Sequence, residues 1–326
     1  MIGSWKLGPA LAVGNSVVLK PSETGSLSLL RLADLALEAG VPPGVLNVVT
    51  GDGVVAGQAL AMSMNVDVLA FTGSGAVGRR LLDCAARSNL KRVYLELGGK
   101  SPHIIFADAP DLEAAAQAVA GGIFHNAGQV CVAGSRLLVA AQIHDDFVAA
   151  VARHAAVLKV GDPLELSSQI GAINSERQLS QALEFVQTAQ AEGGEVTLGG
   201  GRVLAETGGS YMARTIVAGV TQTATLFQKE AFAPILAVTP FADEAEAISL
   251  ANGTDLALAA GVWTANLSRA HRMIRAIRAG VVHVNTYGGP DITVPLGGVG
   301  MSGNGQDKSL YALEKYRDLK TGWIKL

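Results

Sequence analysis

Short apolar, β-branched runs alternate with helix-patterned segments along most of this chain. That rhythm confines it to a parallel sheet with helices on both faces. Ser16–Lys20, Val45–Val49, Val66–Phe71 and Arg92–Leu95 read as strands. Between them, Ser26–Ala39, Gly53–Ser63 and Ala76–Arg87 read as helices, the first stopping at Gly40 before Pro42-Pro43. The rhythm restarts with a strand at His103–Phe106. A helix over Asp111–Asn126, a strand at Arg136–Val139 and helices at Ile143–Leu158 and Glu176–Gln190 follow. The glycine-rich stretch Gly193–Gly209 reads as a surface loop or hairpin. Strands at Ile235–Phe241, Leu258–Trp263 and Val281–Val284 then bracket helices at Glu244–Ala251 and Ser268–Ala279. The tail Arg317–Leu326 reads as an edge strand awaiting a partner.

Composition narrows the function classes. A chain of 326 residues suggests two domains. Its net charge of −3 leaves no basic excess for nucleic acid. Hydrophobic residues make up 49% and charged residues 16%, a composition that packs a core rather than staying disordered. No apolar run reaches the ~18 residues of a spanning helix. The start, MIGSWKLGPALAVGNS, is broken by Lys6 and Gly8-Pro9 and lacks the basic region of a signal peptide. The only cysteines, Cys84 and Cys131, are too few for a disulfide framework and suit a reducing cytoplasm. No metal-ligand set stands out.

Two stretches carry chemistry. Gly73-Ser74-Gly75-Ala76-Val77-Gly78 follows a strand and opens a helix, the context in which GxGxxG holds a dinucleotide. A helix N-terminus attracts phosphate, though the same pattern also serves as a plain strand-to-helix turn. Glu96 closes the next strand, where a Rossmann fold would use it on the ribose. It is followed by Gly98-Gly99, which leave room beside its carboxylate, so a general base is the competing role. The second stretch is Gly121–Arg136, GGIFHNAGQVCVAGSR. A lone cysteine is most often a buried space-filler, and Cys84, inside a helix pattern, keeps that reading. His125 reads as structural.

Glu96-Leu97-Gly98-Gly99-Lys100, followed about 30 residues later by Gly128-Gln129-Val130-Cys131, resembles the paired signatures of the NAD(P)-dependent aldehyde dehydrogenases. The resemblance runs over nearly the whole chain. Val18-Leu19-Lys20-Pro21-Ser22-Glu23 is similar to the family's adenosine-binding strand end. Phe71-Thr72-Gly73-Ser74 is similar to its phosphate loop, with Gly75 where the family often has Thr. Lys229-Glu230-Ala231-Phe232-Ala233-Pro234 is similar to the nicotinamide-ribose segment, with Ala233 in place of a common Gly. Pro295-Leu296-Gly297-Gly298 through Ser302-Gly303 is similar to the substrate-side motif.

The resemblance implies roles. Cys131 becomes the nucleophile and Glu96 the base that activates water. Lys20, Ser22, Glu23, Gly53, Gly73, Ser74, Gly78, Leu97, Glu230 and Phe232 would hold NAD. Glu23 would repel a 2′-phosphate, favouring NAD while leaving NADP open. Trp5 and Leu296 would face the substrate, Leu296 standing where relatives often carry an aromatic ring. The implied architecture is an incomplete Rossmann-type nucleotide-binding domain over residues 1–98, an α/β catalytic domain over 99–310 and a C-terminal helix end and oligomerisation strand over 311–326. A homo-oligomer through that strand is expected if a further N-terminal segment precedes this chain. The stretches Asp291–Pro295, Ser302–Lys315 and Ser88–Val93 are most like bacterial γ-glutamyl-γ-aminobutyraldehyde dehydrogenases of putrescine breakdown, with betaine aldehyde or another amino-aldehyde as the near alternative.

In the family an Asn of a Pro-Trp-Asn motif, the side-chain oxyanion donor, precedes the equivalent of Trp5. The expectation is that about a domain's worth of chain, ~150 residues with the first central strand, lies before the equivalent of Met1. The chain alone is then expected to be weakly active or inactive, since one oxyanion donor is worth roughly 10²–10³ in rate. Two readings compete with the enzyme. One is a non-catalytic remnant that binds nucleotide or a full-length relative. The other is an ordinary Rossmann reductase using Glu96 for ribose.

Overall fold

The structure, a computed structural model, describes residues 1–289 and 291–326, and the chain divides into two compact units. The first comprises Met1–Leu97, Asp291–Gly297 and Gly303–Leu326; the second comprises Gly98–Pro290 and Gly298–Ser302.

The first unit holds α1 (Ile2–Ala12), β1 (Val17–Leu19), α2 (Leu27–Glu38), β2 (Leu46–Val48), α3 (Gln58–Met62), β3 (Val68–Thr72), α4 (Gly75–Ala86) and β4 (Arg92–Glu96). Its strands form two separate parallel pairs, β1 with β2 and β3 with β4. Its buried core is small: Leu81 and Ala85 of α4 pack with Val93, Leu95, Leu97 and Ala61. Gly78 makes that packing close, because a Cβ there would press on the Leu95 and Leu97 side chains. The segment from Gly303 docks along β4. Asn304 accepts from the Leu95 N–H through Oδ1 at 2.8 Å and donates to the Val93 carbonyl at 3.1 Å. Gly303, at φ 114°, abuts the Leu95 carbonyl, a place and a conformation open to glycine alone.

The tail, expected as an edge strand awaiting a partner, is unpaired in this single chain. Residues 317–326 form no strand; Leu319, Trp323, Ile324 and Leu326 are exposed. A strand exists only through its ladder, and no described strand pairs with this segment.

The second unit is built on β5 (Pro102–Ile105), α5 (Leu112–Phe124), β6 (Arg136–Ala140), α6 (His144–Ala156), α7 (Glu176–Ala191), β7 (Glu195–Leu198), β8 (Thr215–Ala218), α8 (Thr225–Gln228), β9 (Ile235–Phe241), α9 (Glu244–Ala251), β10 (Leu256–Ala257), β11 (Ala259–Trp263), α10 (Leu267–Ala276), β12 (Val281–Val284) and β13 (Val299–Gly300). Seven strands form one sheet in the order β12-β11-β5-β6-β9-β8-β7, parallel except for the edge strand β7. β5, β6 and β11 are buried at every residue, as continuous apolar runs in a two-sided parallel sheet must be. Asp111, Ser175, Asp243 and Asn266 cap α5, α7, α9 and α10 by accepting a backbone N–H two or three residues into each helix.

Candidate active site

The Cys131 loop begins where α5 ends. Asn126, Ala127 and Gly128 take positive φ values of 52°, 53° and 69° in succession. Left-handed backbone costs an L-residue about 1–2 kcal/mol, so the surrounding packing must impose it. Gly128 shows how: a Cβ there would overlap the Ala233–Pro234 backbone. The Asn126 amide donates to the Gln129 carbonyl at 3.0 Å and steadies the excursion. A tight turn follows, closed by the Ala133 N–H to the Val130 carbonyl at 3.0 Å, with Cys131 as its second residue. Gly99 lies against this turn so closely that a Cβ on it would overlap the Cys131 carbonyl oxygen. Cys131 itself is half-buried.

In the same unit a small cavity is lined by Gly128 and Val130 of this loop together with Gly99, Glu230 and Phe232. The structure thus brings two of the expected cofactor residues to the loop that carries the cysteine. Glu230 Oε1 accepts from the Gly99 N–H at 3.1 Å. Burial raises its carboxyl above the ordinary value, while that N–H and Lys100 oppose the shift. Phe232 is another non-glycine residue with positive φ, at 50°. Lys100 is 1% exposed, and its Nζ has no hydrogen-bond partner among the described residues. Burial, helped by Arg136, pulls its ammonium down to about 7. The sequence reading gave Lys100 no role, although it directly follows Gly98-Gly99.

The first unit holds the other expected residues. Glu96 ends β4 and is 8% exposed; its Oε1 has no hydrogen-bond partner among the described residues. Burial pushes its carboxyl up to about 8, with the Asp307 charge adding to the effect and Lys6 and Lys315 opposing it. Asp307 is bridged by Lys6 Nζ at 2.6 Å and Lys315 Nζ at 2.5 Å. Sequence reasoning missed this cluster, because only the docking of 303–307 along β4 creates it. Gly305 keeps the space beside Glu96 open: a Cβ there would stand 3.1 Å from Oε1.

At the end of β1, Glu23 Oε1 accepts from the Gly53 N–H at 2.8 Å and from Lys20 Nζ at 3.0 Å. Its own backbone bond and the Lys20 bond hold its carboxyl below the ordinary value. Ser22 Oγ turns instead to Thr24 Oγ1, at 3.2 Å. At the start of α4, Ser74 Oγ accepts from the Val77 N–H, and the Phe71 ring fills the space beside Gly73. The Leu97 side chain lies in the core, packed over Gly78. Trp5 is half-buried, with Lys308 Nζ 4.9 Å from its ring centre. Leu296 forms an antiparallel bridge to Asp307.

Comparison with known proteins identifies the family. The model of the aldehyde dehydrogenase family matches residues 1–322. The NADP/NAD-dependent aldehyde dehydrogenase PuuC of Escherichia coli (strain K12) is 50% identical over 326 residues, covering all of this chain and 65% of that protein. A crystal structure of an indole-3-acetaldehyde dehydrogenase complexed with NAD+ superposes with a TM-score of 0.99 at 51% identity, over 100% of this chain and 66% of the other. The crystal structure of a γ-glutamyl-γ-aminobutyraldehyde dehydrogenase from Burkholderia cenocepacia J2315 gives 0.96 at 50% identity, over 98% and 64%. The chain spans about two thirds of the length of these relatives.

Proposed function

The chain belongs to the aldehyde dehydrogenase family, and from that premise we propose that it carries the groups for oxidising an amino-aldehyde to its carboxylic acid with NAD. The observation that carries the reading is the Cys131 turn, where three successive left-handed residues and a bare Gly99 hold one thiol on a defined loop. Strain of this kind persists where function uses it.

The residues fit the cofactor. The ionised Glu23, held by Gly53 and Lys20, offers acceptor oxygens to ribose hydroxyls. The N-terminus of α4 beyond Ser74 offers N–H groups to a pyrophosphate. Glu230 and Phe232, beside the Cys131 loop, would hold the nicotinamide ribose. The first unit is then the nucleotide-binding part and the second the catalytic one. When bound, NAD supplies the acceptor for the hydride that leaves the substrate carbon. The chain's own residues do the rest. Cys131 forms a bond to the aldehyde carbon, its proton passing to a base. Loss of hydride leaves an acyl thioester on Cys131. Glu96 takes a proton from water, which attacks the thioester and releases the acid and the thiol.

The test uses single-turnover NADH formation with γ-glutamyl-γ-aminobutyraldehyde, betaine aldehyde and indole-3-acetaldehyde. The wild-type chain is expected to form NADH fastest with the first. Glu96→Gln is expected to give one NADH per chain and then stall as the acyl-enzyme, and Cys131→Ser to give none. NADH formation by Cys131→Ser at the wild-type rate sinks the reading.

A cytoplasmic setting and a homo-oligomer belong to the same reading, and the exposed apolar side chains of the tail support the oligomer. Light scattering that finds only monomer removes the oligomer. A second reading, nucleotide or partner binding without turnover, is favoured by one observation: no residue of α2 is buried. Nucleotide binding with no NADH from any of the three aldehydes would establish it.

A further inference from the structure

Tyr287 lies beyond β12 and takes no part in the steps above. Its hydroxyl donates to the Val132 carbonyl oxygen at 2.6 Å, one residue past Cys131. Its ring stacks on the His103 imidazole, with centroids 4.4 Å apart and planes 28° from parallel. His103 is fully buried, and its Nε2 accepts from the Trp263 indole N–H at 2.9 Å. Burial, with His283 adding to it, pulls His103 down to about 3, so the ring is neutral and its proton sits on Nδ1.

The space for the Tyr287 ring is left by glycines from three separate segments. A Cβ on Gly261 of β11 would overlap the ring. One on Gly122 of α5 would stand 3.0 Å from it, and one on Gly134, just past the Cys131 turn, 3.3 Å. The ring is therefore seated by shape, by stacking and by one short hydrogen bond, and that bond ends on the catalytic loop.

We propose that Tyr287 is a positioning residue for Cys131, its hydroxyl pinning the Val132 carbonyl and with it the Val130–Ala133 turn. The inference rests on the reading of Cys131 as nucleophile. Two carbonyls in a row are then held. Gly99 abuts that of Cys131, and Tyr287 bonds that of Val132. The Ala133-to-Val130 bond closes the turn between them. The chain on the C-terminal side of the thiol has little freedom left, which is what a near-attack geometry requires. The hydroxyl also remains a donor when the thiol ionises. Burial, the largest effect, pushes its ionisation up; a bond with Ser101 opposes this, the Cys131 charge adds to it, and Arg136 opposes it least.

The experiment separates positioned attack from bare reactivity, in the 326-residue chain. An activated acetate ester reports positioned attack: the thiolate bonds to the carbonyl carbon, the phenolate leaves, and an acetyl thioester remains on Cys131. Iodoacetamide reports reactivity with little demand on geometry. Both are followed on the Cys131 peptide by mass spectrometry, so that Cys84 does not contribute. Tyr287→Phe keeps the ring and removes the hydroxyl. It is expected to slow acetylation about 3- to 10-fold while leaving alkylation within about twofold and the melting temperature nearly unchanged. Gly134→Ala, which crowds the hydroxyl, is expected to show the same split at smaller size, and it carries the test if Tyr287→Phe does not fold. Equal rates for wild type and both variants overturn the proposal. So does a parallel fall of both rates with a lowered melting temperature, which marks a purely structural ring. A wild-type Cys131 that resists acetylation while alkylating normally overturns the nucleophile reading instead.

Discussion

The two compact units solve the burial problem differently. In the second, one seven-stranded sheet is covered so fully that β5, β6 and β11 are buried at every residue. In the first, four short strands form two separate pairs, and α2 leaves Leu27, Leu30, Leu32, Leu35 and Leu37 exposed. Each unit can keep a different kind of functional group. A run of left-handed residues around a thiol needs a rigid surround, and the second unit supplies one. The Glu96 carboxyl is set first by the cost of burying its own charge and then by nearby charges, Asp307 against Lys6 and Lys315, on a segment docked through Asn304 and Gly303. One group is controlled by packing and the other by electrostatics.

The two units differ most at the core. Leu138, fully buried in β6, is expected to cost about 2–5 kcal/mol when cut to Ala, because the dense sheet cannot collapse into the cavity. Denaturant melts read this directly. A cost under ~1 kcal/mol would mean that the second unit is loosely packed after all.

Gly99→Ala tests whether packing controls the thiol. Its new Cβ must displace the Cys131 carbonyl. A shift of about 1 Å at a reacting group costs on the order of a hundredfold, so acetylation of Cys131 is expected to fall by about that factor. Gly121→Ala, which meets nothing within 4 Å in α5, is the control and leaves the rate unchanged. Equal rates for both variants would detach the thiol from its surround.

Electrostatic control shows in pH dependence. The Glu96 carboxyl sits near 8 in the folded chain against an ordinary 4.5, so the folded state prefers it neutral. Stability from this group is complete below the unfolded value and is lost as pH rises through about 8. Glu96→Gln cannot ionise and removes that loss. The variant is expected to gain on wild type by about 1–3 kcal/mol between mildly acid and alkaline pH, read from paired melts. Water activation needs the carboxylate, so thioester hydrolysis is expected to speed up over the same range. A difference between variant and wild type that ignores pH would mean that Glu96 is already ionised at neutrality.

What the sequence revealed follows the range of the interactions involved. Ile235–Phe241, Glu244–Ala251 and Val281–Val284 have the bounds that their periodicity predicts, because local pattern and burial agree there. Thr215–Ala218 went unread as a strand; four residues without a neighbouring helix pattern give too little period to detect. At the site, Gly128, Glu230 and Phe232 were legible as motif residues, and the structure gathers them at one cavity. Asp307, Lys315 and Tyr287 carry no such mark of a site, and Lys100, though part of the Glu96–Lys100 motif, drew no role. Each matters only through a partner from a distant segment, and nothing in its immediate neighbours signals the contact. Leu97 shows the converse: it stands in a motif, yet its side chain belongs to the core.

The smallest expected effect tests the exposed helix. Leu35 of α2 is 44% exposed, so Leu35→Ala removes little buried surface and is expected to cost less than about 1 kcal/mol, several-fold below Leu138→Ala. Helix propensity barely changes between the two residues, so the measured cost reports burial alone. A cost equal to that at Leu138 would show that α2 is covered in solution, and the contrast between the units would then belong to the isolated chain. Repeating the melt across protein concentration decides between the two. Cover supplied by a second copy makes the stability of wild type rise with concentration, and Leu35→Ala weakens that rise.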